Sequence, residues 1–201
     1  MGQYYTPVLE KDGLLTRINP SSLHHWPMVK LMEHSWMPNE YLAVVANRIY
    51  KNPLKLVWLG DYGDEDVKRL FPDSPLAKLG GTAEHLVSDD ITDLYESDID
   101  EDGDITFDYT DKWLVNHNSK TAINFNDYVE LSKSHTIDKE WIINPISLLT
   151  AIGNGKGGGD YSGINQNLVG EWAYCTVSIE DELPEGYTID NTTYFSEDEG
   201  V

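Results

Sequence analysis

Asp98-Ile99-Asp100-Glu101-Asp102-Gly103-Asp104-Ile105 is the stretch whose spacing is most specific to one chemistry. Carboxylates at positions one, three and five, glycine at six and an aliphatic residue at eight match the start of an EF-hand calcium loop. The glycine permits the sharp turn that lets hard oxygens converge. The twelfth position of such a loop supplies a bidentate glutamate; here it is Tyr109, and Asp108 falls one place early. Asp98, Asp100 and Asp102 are thus candidate ligands for a weak calcium site. The competing reading makes Glu101-Asp102-Gly103-Asp104 the solvated tip of a hairpin.

A second candidate is Gly153-Asn154-Gly155-Lys156-Gly157-Gly158-Gly159-Asp160-Tyr161-Ser162-Gly163, with six glycines in eleven residues. Glycine lets the backbone take positive φ or approach a ligand closely. Exposed amides beside Lys156 would suit a phosphate or another anion. The candidate ligand-binding residues are Gly153, Gly155, Lys156, Gly157, Gly158, Gly159 and Asp160, with Asp61 or His34 as possible additions to the pocket. Gly157 stands where a Walker loop needs Ser or Thr, and no helix pattern follows to receive a pyrophosphate. The competing reading is a surface loop without a ligand.

His24, His25, Glu33 and His34 are metal-compatible residue types, but zincin and inverzincin spacings are absent. His85, His117 and His135 are scattered and read as structural. No nucleophile elbow or Ser/His/Asp order is visible, so no catalytic set is assigned. Cys175, the sole cysteine, reads as core packing and forbids an intrachain disulfide. A myristoylation-like Met1-Gly2 with Thr6 and a sequon at Asn191-Thr192-Thr193 complete the local motifs. Tyr4 and Tyr5 fit an edge strand better than a lipid anchor.

Charge is distributed unevenly. Residues 1–80 hold nine acids and nine bases, whereas residues 81–201 hold twenty-six acids and five bases, so the whole formal charge of −21 lies in the second part. No Lys or Arg occurs between Lys78 and Lys112, where Asp89, Asp90, Asp93, Glu96, Asp98, Asp100, Glu101, Asp102 and Asp104 accumulate. Such a field repels phosphate backbones and disfavours direct nucleic-acid binding. It attracts a basic protein surface or a cation, and those nine acids are the candidate protein-binding residues. The alternative is that they serve solubility alone. The apolar runs are too short to span a bilayer and the start lacks a signal-peptide layout. A cytoplasmic protein is expected.

The elements that must position these residues read as α+β: a single compact domain over 1–196, with a mainly antiparallel sheet, a few short helices and a flexible acidic end at 197–201. Tyr4–Leu9 and Leu14–Ile18 flank an Asp12-Gly13 turn, a hairpin signal, and Pro7 confines the first strand to an edge or an end. Asn39 reads as the cap of a helix to Tyr50, ended by Asn52-Pro53. Lys55–Leu59 reads as a buried strand and Asp64–Phe71 as a short helix. Ile105, Phe107 and Tyr109 alternate as a strand does, followed by Trp113 and Val115, a turn at 116–119 and a strand from Thr121 to Phe125. Asn126 is placed to cap a helix over 127–132.

Several segments occur here in a fixed order: Met1-Gly2-Gln3-Tyr4-Tyr5, Lys30-Leu31-Met32-Glu33-His34-Ser35-Trp36, Val57-Trp58-Leu59-Gly60-Asp61-Tyr62, Val115-Asn116-His117, Leu148-Leu149-Thr150-Ala151, and Gly153 to Tyr161. Together they resemble a family of uncharacterised bacterial and phage-borne proteins, from end to end of the chain. The resemblance implies a prokaryotic or phage setting and no particular activity. The acidic stretch from Asp89 to Asp111 is the part least like the family pattern.

Two functions of different class follow. The first is a non-catalytic acidic binding protein, of the inhibitor or immunity type, that docks on a basic protein surface without a cofactor. The second is a nucleotide- or phosphate-ligand-binding protein or hydrolase built on loop 153–163.

Overall fold

The run Leu54 to Leu59 carries apolar side chains at nearly every position, the pattern of a strand covered on both faces. The computed structural model, which describes residues 2–18, 29–37, 39–79, 105–135, 142–162 and 166–190, places this run near the middle of one sheet. Its strands are β1 (Tyr5–Lys11), β2 (Leu14–Arg17), β3 (Leu54–Gly60), β4 (Trp113–Asn116), β5 (Thr121–Asn124), β6 (Ala151–Ile152), β7 (Cys175–Glu180) and β8 (Thr188–Ile189). Their order is β2-β1-β3-β7-β4-β5-β8, with β6 also on β3. The β3–β6 and β5–β8 pairs are parallel and the rest antiparallel. The helices are short: α1 (Leu31–His34), α2 (Glu40–Ile49), α3 (Asp64–Leu70), α4 (Phe125–His135) and α5 (Pro145–Thr150). The fold is α+β. Among the described residues, no helix is long and apolar enough to cross a membrane.

Side-chain alternation along β3 builds a core on each face. Leu54, Leu56 and Trp58 join the larger cluster with α2 and α5, while Val57 and Leu59 join Val8, Val67, Leu76 and Ile152 on the other face. Trp58 is fully buried and meets Tyr41 edge-on at 5.5 Å between ring centroids. Asn39 caps α2, its side-chain oxygen accepting from the Tyr41 amide at 2.9 Å. The Asp12-Gly13 turn has positive φ at both residues, the primed geometry that matches strand twist.

β1 lies between β2 and β3, and Pro7 is accommodated at the end of the β1–β2 pairing. Its missing N–H faces Ile18, just past the last β1–β2 register pair, Val8 with Arg17. Ile18 still donates to the Pro7 carbonyl at 3.1 Å. The Ile18 carbonyl, left without a proline donor, accepts instead from the buried Tyr41 hydroxyl at 2.7 Å.

Two expectations are corrected. Residues 106–109 form no strand, although Ile105 is buried and Thr106 and Asp108 are exposed. The alternation comes from side-chain packing: the rings of Tyr50, Phe107, Tyr109 and Phe125 follow one another at 5.7, 4.8 and 4.8 Å between centroids. The helix placed over 127–132 begins at Phe125 and runs to His135. Its first turn is capped by Asn124, not Asn126, because the Asn124 side chain accepts from the amides of Asn126 and Asp127 at 2.9 and 3.2 Å. Asn126 turns to Asp111 instead, at 2.6 Å.

Candidate functional site

β3 and β6 run parallel, Trp58 beside Ala151 and Leu59 beside Ile152. Their carboxyl ends therefore release Gly60–Gly63 and the glycine loop at the same place, the position where α/β sheets commonly hold ligands. The N-terminal segment joins them. Gln3 donates its amide to the Gly158 carbonyl at 2.8 Å, and Met32, at the start of α1, donates to the Gly159 carbonyl at 3.0 Å. Tyr4 and Asp61 exchange bonds: the Tyr4 amide reaches Asp61 Oδ1 at 3.2 Å and the Asp61 amide reaches the Tyr4 carbonyl at 2.9 Å. Asn154 closes the neck of the loop, donating to the Tyr161 carbonyl at 3.0 Å and accepting from its amide at 2.7 Å.

The glycines have a packing role. The Gln3 side chain is fully buried against Gly60, Gly153 and Gly157, and a Cβ on Gly153 or Gly157 would lie 2.5 Å from its atoms. The Lys30 stem fills the corresponding space over Gly159. Gly153 has φ +102 as well, so it is held by both conformation and contact.

The charged groups of the loop are engaged. Asp160 accepts from the Tyr5 hydroxyl on one oxygen and from the Gly157 amide on the other, both at 2.7 Å. It thus occupies the amide an incoming anion would use. Burial, then the hydrogen bond to Asp160, pushes the Tyr5 phenol far above its ordinary range, so it remains a donor. Lys156 sits 2.5 Å from Asp66 and donates to the Tyr62 carbonyl at 3.2 Å. The Lys156 ammonium, with Arg69 assisting, holds Asp66 below the usual carboxylate range. The structure therefore brings Gly153, Gly155, Lys156, Gly157, Gly158, Gly159 and Asp160 together with Gln3, Tyr5, Asp61 and Asp66. The latter group's closeness has no local sequence signal except the row of glycines, which announces a close approach without naming its partner.

The acidic stretch Asp89, Asp90, Asp93, Glu96, Asp98, Asp100, Glu101, Asp102 and Asp104 lies outside the described residues, as do His24, His25, His85, Asn191 and residues 197–201. Tyr109, at the twelfth position of the calcium-like pattern, stacks on Phe107 and Phe125. Glu33 pairs with Lys30 at 2.7 Å. Among the described residues, no group of three or more His, Cys, Asp or Glu is placed to hold a metal ion. The Cys175 thiol is raised by burial, which suits a packed rather than a reactive sulfur.

A polar chain not visible in the sequence surrounds His117. Its Nδ1 lies 2.9 Å from the Tyr187 hydroxyl and its Nε2 2.8 Å from Ser178 Oγ, which donates to Glu180 Oε1 at 2.6 Å. A carboxylate only accepts, so the single Ser178 proton goes to Glu180 and Oγ must accept from Nε2–H. Nδ1 then accepts from Tyr187, which fixes the tautomer. Ser178 is fully buried, so this chain ties the turn after β4 to β7 and to the segment before β8; it exposes no nucleophile.

Burial lowers the His117 pKa, with Glu180 pulling the other way. The folded protein thus binds the proton less readily than the unfolded chain, whose histidine titrates near about 6.5. Stability contributed by neutral His117 is complete above that value and is lost as pH falls through it toward the lower folded pKa. Denaturant midpoints measured from about pH 8 down to about pH 5 should decline over this window, and His117→Gln should flatten that part of the curve. An unchanged slope in the variant would assign the decline to other groups.

No protein-family model, curated protein or solved structure matches this chain.

Proposed function

We propose that the protein is a non-catalytic acidic binding protein, of the inhibitor or immunity type, whose second part docks on a basic protein surface. The observation that carries this reading is the excess of twenty-six acids over five bases in residues 81–201. Internal pairing leaves that excess in place, because one base of this part turns to an acid of the first and one base of the first turns to an acid of this part. Of those five bases, Lys112 is held on Asp181 and Lys156 on Asp66. Asp181 also draws Lys51 from the first part, at 2.5 Å. Exposed acids on several elements, Asp108, Asp111, Asp127, Glu182 and Glu185 among them, extend the field beyond the 89–104 stretch. A cytoplasmic setting belongs to the same reading, supported by the single thiol.

Long-range attraction of this kind accelerates encounter and fades once salt shortens the screening length, about 10 Å at 0.1 M. A pull-down from cell extract should recover a basic protein at low ionic strength and lose it at high. Recovery of no basic partner at either would overturn the reading. The alternative, a nucleotide or phosphate ligand at loop 153–163, is supported by the loop's place beyond β3 and β6. It competes with the existing bonds of Asp160, Gly157 and Lys156.

A further inference from the structure

The surface between α2, the 105–109 segment and α4 is indented and largely apolar. Two adjoining cavities, about 320 and 530 Å³, share Met37 and Tyr109 as their common wall. Ala43, Ile105 and Phe107 line the smaller; Phe125, Val129 and Glu130 line the larger. Each volume falls in the range of ligand-holding clefts, roughly 300–1,000 Å³.

The rim is anionic. Asp108 stands between the lining residues Phe107 and Tyr109, and its carboxylate accepts from the Thr110 amide at 2.9 Å. Asp111 is held by Asn126, and Asp127 follows Asn126 on α4; both carboxylates belong to exposed residues. Lys112, the lysine adjoining them in the chain, has its ammonium on Asp181 at 3.1 Å and over the Tyr50 ring at 5.2 Å. Apolar floor and acidic rim together select a ligand that is apolar on one side and cationic on the other.

We propose that this double cavity binds a basic amphipathic segment of a partner protein. Large apolar side chains of that segment enter on either side of Tyr109, and its Lys or Arg residues meet Asp108, Asp111 and Asp127. The inference rests on the acidic-binding reading above and names where, and with what pattern, the basic partner is engaged.

Fluorescence anisotropy with three synthetic helical peptides of equal length tests it: one of Leu and Lys at amphipathic spacing, one with Ser in place of each Leu, and one with Ser in place of each Lys. The Leu/Lys peptide should bind at least about tenfold more tightly than either control, the usual scale for burying one large apolar group. Val129→Trp and Thr106→Trp, on separate elements at half-buried and exposed positions, should each erase that advantage. The weak, salt-sensitive binding of the Lys/Ser peptide should survive, and far-UV circular dichroism should show both variants folded. Asp108→Asn with Asp111→Asn should weaken the Leu/Lys peptide and not the Leu/Ser peptide. Equal binding of both cationic peptides, unaffected by either tryptophan, overturns the groove while leaving the acidic reading intact. Equal binding of the Leu/Ser and Leu/Lys peptides removes the cationic requirement. Binding of none of them ends both proposals.

Discussion

Gly153→Ala should destabilise the protein by about 2–5 kcal/mol, combining the left-handed penalty of about 1–2 kcal/mol with overpacking of about 1–3 kcal/mol. Gly153 has φ +102, and an added Cβ would lie 2.5 Å from Gln3 Nε2 and 3.1 Å from Gly63 Cα. The part due to Gln3 is separable. In a Gln3→Ala background the same change should cost at least about 1 kcal/mol less, a coupling expected of residues in direct contact. Urea unfolding of the two single variants and the double variant measures it. Strict additivity would mean that the N-terminal segment does not occupy the glycine slot, and the account of the loop as a seat for Gln3 would fall.

Trp58→Ala is expected to cost about 3–5 kcal/mol, as for other large aromatic truncations in cores. Trp58 is fully buried in the larger cluster and stacks edge-on against Tyr41. Tyr41 in turn donates to the Ile18 carbonyl that Pro7 leaves without a donor, so loosening Tyr41 reaches the β1–β2 pairing. A lowered urea midpoint with an unchanged m-value is the expected signature. A loss below about 1 kcal/mol would show that the cluster around β3 relaxes to fill the space, contrary to the dense packing of interiors.

Local signals in the sequence found the elements whose causes are local. Asp12-Gly13 needs only its own two residues to turn, Asn39 needs only the next amides, and Leu54 to Leu59 shows two-sided burial in its own composition. The failures share a different cause. Period-two alternation at Ile105, Phe107 and Tyr109 is common to a strand and to an extended segment wedged between helices, and only a ladder partner separates them. Asn124 and Asn126 are the same residue type two positions apart, and the true cap was decided by where β5 ends. In the candidate site, the glycines were legible as a demand for close approach. Their partners Gln3 and Lys30 come from the opposite part of the chain. The His117 chain is the extreme case, since its contacts span 61 and 70 residues and leave no mark on any window.

β7 has the late place in sequence and the inner place in space: it follows six of the other strands and lies between β3 and β4. While the chain emerges from the ribosome, the β1–β3 and β4–β5 pieces must wait with apolar faces and open backbone edges until residues 175–180 arrive to join them. Such long-range closure slows folding and exposes unpaired strands to neighbouring nascent chains. Termination after Asn124 and before Cys175 would leave two half-sheets with no strand to bridge them, and that product belongs to chaperones and proteases.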